Sequence, residues 1–159
     1  MAYCVDSSPA VGIDTDVHTS LKNKLGSVRE FSDGNHYIYL KGATSVADGS
    51  TVIFKPGVWT AQLAATGLKG GVAIARAAVD ASTKYGWFLY IGSDVIVAGS
   101  AMTSNTALFI GGVSGNIDDT AVKGDQIFNA FLSNAPAATT SAAIHLDRAF
   151  VGASNESTG

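Results

Sequence analysis

Two carboxylates and an imidazole alternate near the start of the chain, at Asp14, Asp16 and His18. Alternate residues of an extended segment point to the same side, so these three side chains would share one side of the chain. Carboxylate and imidazole groups placed in this way are ligands for a divalent cation. A solvated polar segment has the same pattern, because ligand spacing alone is a weak signal. We therefore expect a polar arm here and no metal site.

The other groups that could do chemistry do not form a recognisable active site. No histidine stands in a His-Glu-x-x-His or paired zinc pattern. A serine, His145 and Asp147 could be combined into a hydrolytic triad, but the chain has no Gly-x-Ser-x-Gly motif. The glycine-rich stretch 111–115 lacks the lysine and the helix that follow a phosphate-binding loop. We therefore expect a protein that is not an enzyme and has no cofactor.

The elements that position these groups are predicted to be strands. Apolar and polar residues alternate with period two in short runs, and the runs are separated by Gly, Pro, Asn and Asp residues typical of turns. The predicted strands are 28–31, 36–41, 51–54, 71–80, 86–92, 94–98, 106–110, 126–134 and 142–151. The pattern predicts a mainly β fold, a single compact antiparallel sandwich or barrel of about nine short strands.

Residues 1–27 are predicted to be an extended N-terminal arm, and residues 28–159 the β domain. The arm contains Pro and Gly and shows no sustained periodicity. Val17, Leu21 and Leu25 could form the stripe of one short helix, with Asp16 as its N-cap.

Composition limits the partners. Charged residues make up 14% of the chain, against about 25% in typical domains. A surface rich in Ser and Thr would explain this, as would burial of surface against other subunits, and we favour the burial. The net charge is −3 and the basic residues are scattered, so we expect no nucleic-acid binding. No apolar run approaches the ~20 residues of a membrane span, and the N-terminal sequence does not resemble a secretion signal. A single cysteine, Cys4, fits synthesis in a reducing cytoplasm.

Aromatic residues and arginines are the candidates for an interface. Alternating aromatics cannot all face one core, so some should fill a second core or contact a partner. Two arginines stand inside apolar runs, where a charge lies at a sheet edge or pairs with an acid. The structural and interface candidates are Trp87, Phe88, Tyr90, Arg76, Arg148 and Phe150.

Four short motifs stand out in the predicted strands and turns: Gly71-Val72-Ala73, Val79-Asp80-Ala81, Tyr85-Gly86-Trp87-Phe88 and Leu146-Asp147-Arg148-Ala149-Phe150-Val151. Together they resemble the pattern of a family of small tailed-bacteriophage virion proteins, the capsid decoration or cement proteins. The similarity spans roughly residues 36 to 151 and lies outside the arm. One departure is Ala149, where the family pattern has proline before the aromatic residue.

The resemblance implies a non-enzymatic β protein that binds the outer surface of an icosahedral shell and stabilises it. The implied partners are the major capsid protein and further copies of the chain, in a homotrimer. The implied location is the virion, after synthesis in the host cytoplasm. Two alternatives stay open: a phage tail or head-fibre component, and a carbohydrate-binding β-sandwich module in which Trp59 and Trp87 stack on sugar rings.

Overall fold

A computed structural model describes residues 13–96, 102, 106–132 and 142–152. These residues form strands and connecting turns, with no helix among them, and therefore none that could cross a membrane. The mainly β, antiparallel class is confirmed. The strands are β1 (Val17–His18), β2 (Val28–Glu30), β3 (His36–Lys41), β4 (Thr51–Phe54), β5 (Gln62–Leu63), β6 (Gly70–Ala75), β7 (Tyr85–Ile96), β8 (Leu108–Ile110), β9 (Ile117–Asp118), β10 (Gln126–Leu132) and β11 (Ala142–Gly152).

All eleven strands belong to one antiparallel sheet whose main order is β2-β3-β7-β6-β11-β10-β8-β9. Strand β7 organises it, because β3 pairs along one edge while β6 and then β11 pair along the other. β1 pairs with the start of β7, and β4 joins β5 to β6. The described strands do not close into a barrel, since β2 and β9 are the two ends of the order. This open sheet is compatible with a sandwich-like arrangement.

The sheet has a core on each face, as the alternating aromatics predict. β3, β4, β6 and the first half of β7 are buried on both faces, so successive side chains enter different cores. In β7, Trp87 joins the larger cluster and Phe88 the smaller one. The larger cluster also takes the inward residues of β8, β10 and β11, whereas loop residues such as Val46 and Val79 cover the smaller cluster.

The prediction of two separate strands at 86–92 and 94–98 is wrong. The chain runs straight through as β7, because Ser93 and Asp94 pair with His145 and Ile144 of β11. Gly92 has φ 124°, and a Cβ there would lie 1.9 Å from Asn35 Oδ1. The glycine therefore leaves room for the Asn35 side chain against the strand and does not mark a turn.

The helix predicted after Asp16 does not form. The Asp16 backbone N–H donates to Ile13 O (3.1 Å) and its carboxylate accepts from Ile13 N (2.9 Å), which closes a turn. The next two residues, Val17 and His18, pair with β7. Leu25 packs against the larger core. Residues 13–27 thus contact the sheet, while residues 1–12 of the predicted arm lie outside the described residues.

Three strands of two residues each, β1, β5 and β9, are not among the predicted strands. Runs this short carry no readable periodicity. The predicted strand ends at 97–98 and 133–134 lie outside the described residues.

Candidate functional site

A β-bulge between β10 and β11 shapes an exposed aromatic surface of the molecule. Phe128 pairs with Phe150, but Ala130 pairs with Leu146, so one residue of β10 lies opposite three residues of β11. At its centre Asn129 has φ 58° and Arg148 has φ 49°, in the left-handed region that is uncommon for residues other than glycine and that asparagine adopts more readily than arginine. Side-chain alternation changes phase at this point in both strands.

Because of this phase change, aromatic side chains on both sides of the bulge reach the outer surface. Strict alternation would send Phe128 and Phe131 to opposite faces, whereas Ile127 and Leu132 are buried and Phe131 is 50% exposed. Phe150, in β11, is 44% exposed. We call Phe128, Phe131, His145 and Phe150 the phenylalanine face.

The members of the phenylalanine face stack on each other across the strand pair. The rings of Phe128 and Phe150 are 5.2 Å apart with a 20° angle between their planes, and those of Phe131 and His145 are 4.9 Å apart at 29°. Asp147 and Arg148, both exposed, stand between the two stacks. The surface is therefore aromatic with one acid and one base between the two stacks, and aromatic and arginine side chains are the types enriched at protein–protein interfaces.

At this face, a serine hydroxyl lies within hydrogen-bond distance of a histidine ring. Ser93 Oγ lies 2.8 Å from His145 Nδ1, its cross-strand neighbour. A hydrolase also needs N–H donors aimed at the developing oxyanion, but Ser93 N–H donates to Asn35 Oδ1 at 3.1 Å. We interpret the pair as a hydrogen bond that orients the His145 ring on Phe131.

A hydrogen-bonded loop anchors this end of β7. Tyr37 OH donates to Asp33 Oδ2 at 2.6 Å, and Asn35 Nδ2 donates to the same oxygen at 2.9 Å. Burial by itself raises the pKa of Asp33, but the hydrogen bonds from Tyr37 and Asn35 outweigh it and lower the pKa below its usual value. Burial, with the bond to Asp33, raises the pKa of Tyr37 well above 10.0.

The raised pKa of Tyr37 predicts a loss of stability in alkali. The unfolded chain releases this proton near pH 10.0 while the folded chain keeps it, so the contribution is complete below pH 10.0 and is lost as pH rises above it. We expect the free energy of unfolding to fall less steeply above pH 10 in Tyr37→Phe than in the parent chain. Urea unfolding at several pH values, with tyrosinate absorbance as the second readout, measures this. Equal slopes would contradict the assignment.

The aromatic candidates of β7 lie inside the chain's own cores. Trp87 is 1% exposed and Phe88 is fully buried, so neither lies on the surface of the described subunit. Tyr90 is partly buried against the smaller core, with its ring 5.8 Å from that of Phe54. Of the aromatic candidates, only Phe150 belongs to the exposed surface described above.

The two arginine candidates have different surroundings. Arg76 Nε donates to Asp14 Oδ2 at 3.3 Å, and its Nη1 lies 3.9 Å from Asp48 Oδ1. Asp14 is 2% exposed, so the pair fixes the N-terminal segment to the end of β6. Arg148, in contrast, is exposed at the bulge.

Because of this ion pair, Asp14, Asp16 and His18 do not form one cluster, although they alternate in the sequence. Asp14 turns inward to Arg76, while His18 Nε2 lies 4.0 Å from Asp16 Oδ2 and its Nδ1 2.8 Å from Tyr39 OH. The described residues contain no group of three acids, histidines or cysteines that could hold a metal ion. The carboxylates therefore serve the packing of the segment.

The sequence interpretation placed His145 at the surface or an interface, but it left Phe128 and Phe131 out of the interface candidates. A signal was present: Ile127 with Phe128, and Phe131 with Leu132, are adjacent apolar pairs that a strand of strict period two does not contain. Such a break in alternation indicates a bulge.

No protein-family model, curated protein or solved structure matches the chain. The arguments for function therefore depend on the fold, the phenylalanine face and the motif resemblance.

Proposed function

We propose that this chain is a non-enzymatic bacteriophage virion protein, a capsid decoration protein that binds the outer capsid surface and stabilises the shell. The observation that carries the proposal is the phenylalanine face. Phe131 and Phe150 are half exposed on adjacent strands, although water contact with such rings is unfavourable by roughly 25 cal/mol per Å². Clustered exposed aromatics of this kind mark protein–protein contact surfaces.

The partners are the major capsid protein and further copies of the chain, as a homotrimer. The low share of charged residues supports extensive burial against other subunits. Each copy contributes a modest contact, and several contacts made together by one oligomer multiply the residence time on the shell. The shell gains resistance to internal pressure because every bound copy ties neighbouring capsid subunits together.

A binding experiment with shells tests the proposal. We expect Phe131→Ser together with Phe150→Ser to weaken binding to purified empty capsids by more than about tenfold, since central aromatic anchors dominate interface energies. The matched control is Val113→Ser, which removes an apolar side chain that is 64% exposed elsewhere. Cosedimentation with capsids measures both, and circular dichroism verifies that the variants are folded.

Two results would overturn the proposal: absence of binding by the parent chain, or equal heat resistance of shells with and without it.

The number of copies per particle distinguishes decoration from the tail or head-fibre alternative, because hundreds of copies fit decoration and a handful fit a tail. Because Trp87 is buried, Trp59 is the one residue of the carbohydrate-binding alternative that could still stack on a sugar ring. The Trp59 ring packs on Gly26 and Phe54. Loss of glycan binding in Trp59→Ala would favour that alternative.

A further inference from the structure

The phenylalanine face lies where the sheet is buried on one side only. In β3, β4 and β6 the chain itself covers both sides, whereas β10 and β11 alternate between buried and more exposed residues along most of their length. The exposed side of β10 and β11 carries the two ring stacks. Because exposed clusters of apolar side chains mark contact surfaces, we expect another protein chain to cover this side.

The face has two halves of opposite charge, one on each side of the bulge. His145 precedes Asp147 by two residues, and Phe150 follows Arg148 by two residues. Each half contains one ring stack. The halves therefore match in spacing and in aromatic content, and they differ in the sign of the charge. We call Phe131, His145 and Asp147 the acidic half, and Phe128, Arg148 and Phe150 the basic half.

Neither charge of the face is neutralised within the described part of the chain. Asp147 and Arg148 are both exposed and adjacent in β11, yet neither takes part in an ion pair among the described residues. Arg148 has φ 49°, a conformation that asparagine or glycine adopts at lower cost. Backbone strain of this kind collects at binding sites, which favours a binding role for this arginine.

We propose that the phenylalanine face joins copies of this chain, with the acidic half of one copy packed on the basic half of another. Asp147 of one copy then contacts Arg148 of a second copy, and the ring stack of each half covers the stack of the other. A foreign partner would have to supply both an acid and a base at matching places, whereas a second copy carries both.

This contact rests on the homo-oligomer of the proposed function and assigns the surface that holds it together. The loss of capsid binding expected for Phe131→Ser with Phe150→Ser then has a physical cause. Without the contact between copies, each chain meets the shell alone, and the gain from several contacts made together by one oligomer is lost.

Charge exchange at the centre of the face tests the proposal. We expect the parent chain to be an oligomer in size-exclusion chromatography with light scattering. Asp147→Arg or Arg148→Asp, each alone, should weaken self-association at least about tenfold in a dilution series, because like charges then meet. The double variant, Asp147→Arg with Arg148→Asp, restores the opposite charges and should regain association.

Binding between unlike single variants gives a second readout. Immobilised Asp147→Arg chain should capture Arg148→Asp chain but not further copies of itself, since only the unlike pair brings an acid to a base. The matched controls Glu30→Arg and Lys24→Asp make the same charge changes at exposed positions outside the face, and both should associate as the parent does. Circular dichroism verifies folding.

Neutral variants keep the test informative if an exchange variant does not fold. Asp147→Asn and Arg148→Asn each remove one charge and place no like charges together. We expect a smaller loss of self-association for each of them than for the exchange variants, measured in the same dilution series.

The proposal fails if the parent chain is monomeric, if variants at Asp147 and Arg148 associate as the parent does, or if the controls weaken equally. It also fails if the double variant stays dissociated or the unlike variants do not bind each other. Capsid binding is measured separately. A parent chain that binds capsids as a monomer contradicts the contact between copies alone. Association that follows the charge exchange, without capsid binding, contradicts the decoration role alone.

Discussion

Replacement of Trp87 by alanine is expected to lower the free energy of unfolding by ~3–5 kcal/mol, as the loss of a large buried aromatic does. Trp87 is 1% exposed and is the largest of the fully buried side chains. Its ring lies 5.2 Å from that of Phe31 and 4.9 Å from that of Tyr39, in tilted contacts that an alanine cannot replace. The cavity would open in the larger core, between Phe31 and Tyr39.

Urea unfolding followed by far-ultraviolet circular dichroism measures this effect, because the substitution removes one of the two tryptophans on which a fluorescence signal would depend. The matched control is Phe131→Ala, an aromatic truncation at a side chain that is 50% exposed, for which we expect a loss below about 1 kcal/mol. A loss below about 1 kcal/mol for Trp87→Ala would mean that Trp87 does not lie in the core.

Replacement of Asp14 by alanine is expected to cost ~2–3 kcal/mol, somewhat less than the breaking of a fully buried pair. The Asp14 side chain is 2% exposed and that of Arg76 is 22% exposed. Loss of the carboxylate leaves the guanidinium in a largely desolvated position beside Asp48, whose nearest oxygen is 3.9 Å away. The contact of residues 13–27 with the sheet should weaken at the same time.

The control for Asp14 lies on the same arginine. Asp48→Ala removes a carboxylate that is 69% exposed, so we expect a change within about 0.5 kcal/mol. Asp14→Asn keeps an oxygen acceptor without the charge, so we expect its loss of stability to lie between those of Asp14→Ala and Asp48→Ala. Chemical denaturation of the three variants compares them directly. Equal effects of Asp14→Ala and Asp48→Ala would contradict a buried ion pair that anchors the N-terminal segment.

Two strands that are buried on both faces were predicted residue for residue, whereas the prediction for a third, β6, extends to residue 80 although the strand ends at Ala75. The bounds 36–41 and 51–54 agree with β3 and β4 residue for residue, since both are continuous apolar runs bounded by turn residues. The split of β7 failed because Gly92 and Asp94 have turn chemistry, whereas pairing with β11 decides the outcome. Tertiary pairing here overrides local preference.

The interface candidates were also predicted only in part. Phe150 and Arg148 were selected from sequence as interface candidates, and both are exposed. Trp87 and Phe88 were selected by the same reasoning and are buried, because two cores lie on opposite faces of one sheet. Sequence alternation gives two faces for a strand, but it does not say whether the second face meets loops of the same chain or a partner.

The sequence by itself determined the antiparallel β class and the need for two apolar faces, because side-chain alternation is a local property of the chain. Only the tertiary structure decided which aromatics reach the surface. The phase change at Asn129 and Arg148 depends on left-handed φ values, which are uncommon for residues other than glycine. Pairing between β10 and β11 imposes that conformation across the sheet. The exposure of Phe131, which strict alternation would place on the same face as the buried Ile127, is therefore a product of strand pairing.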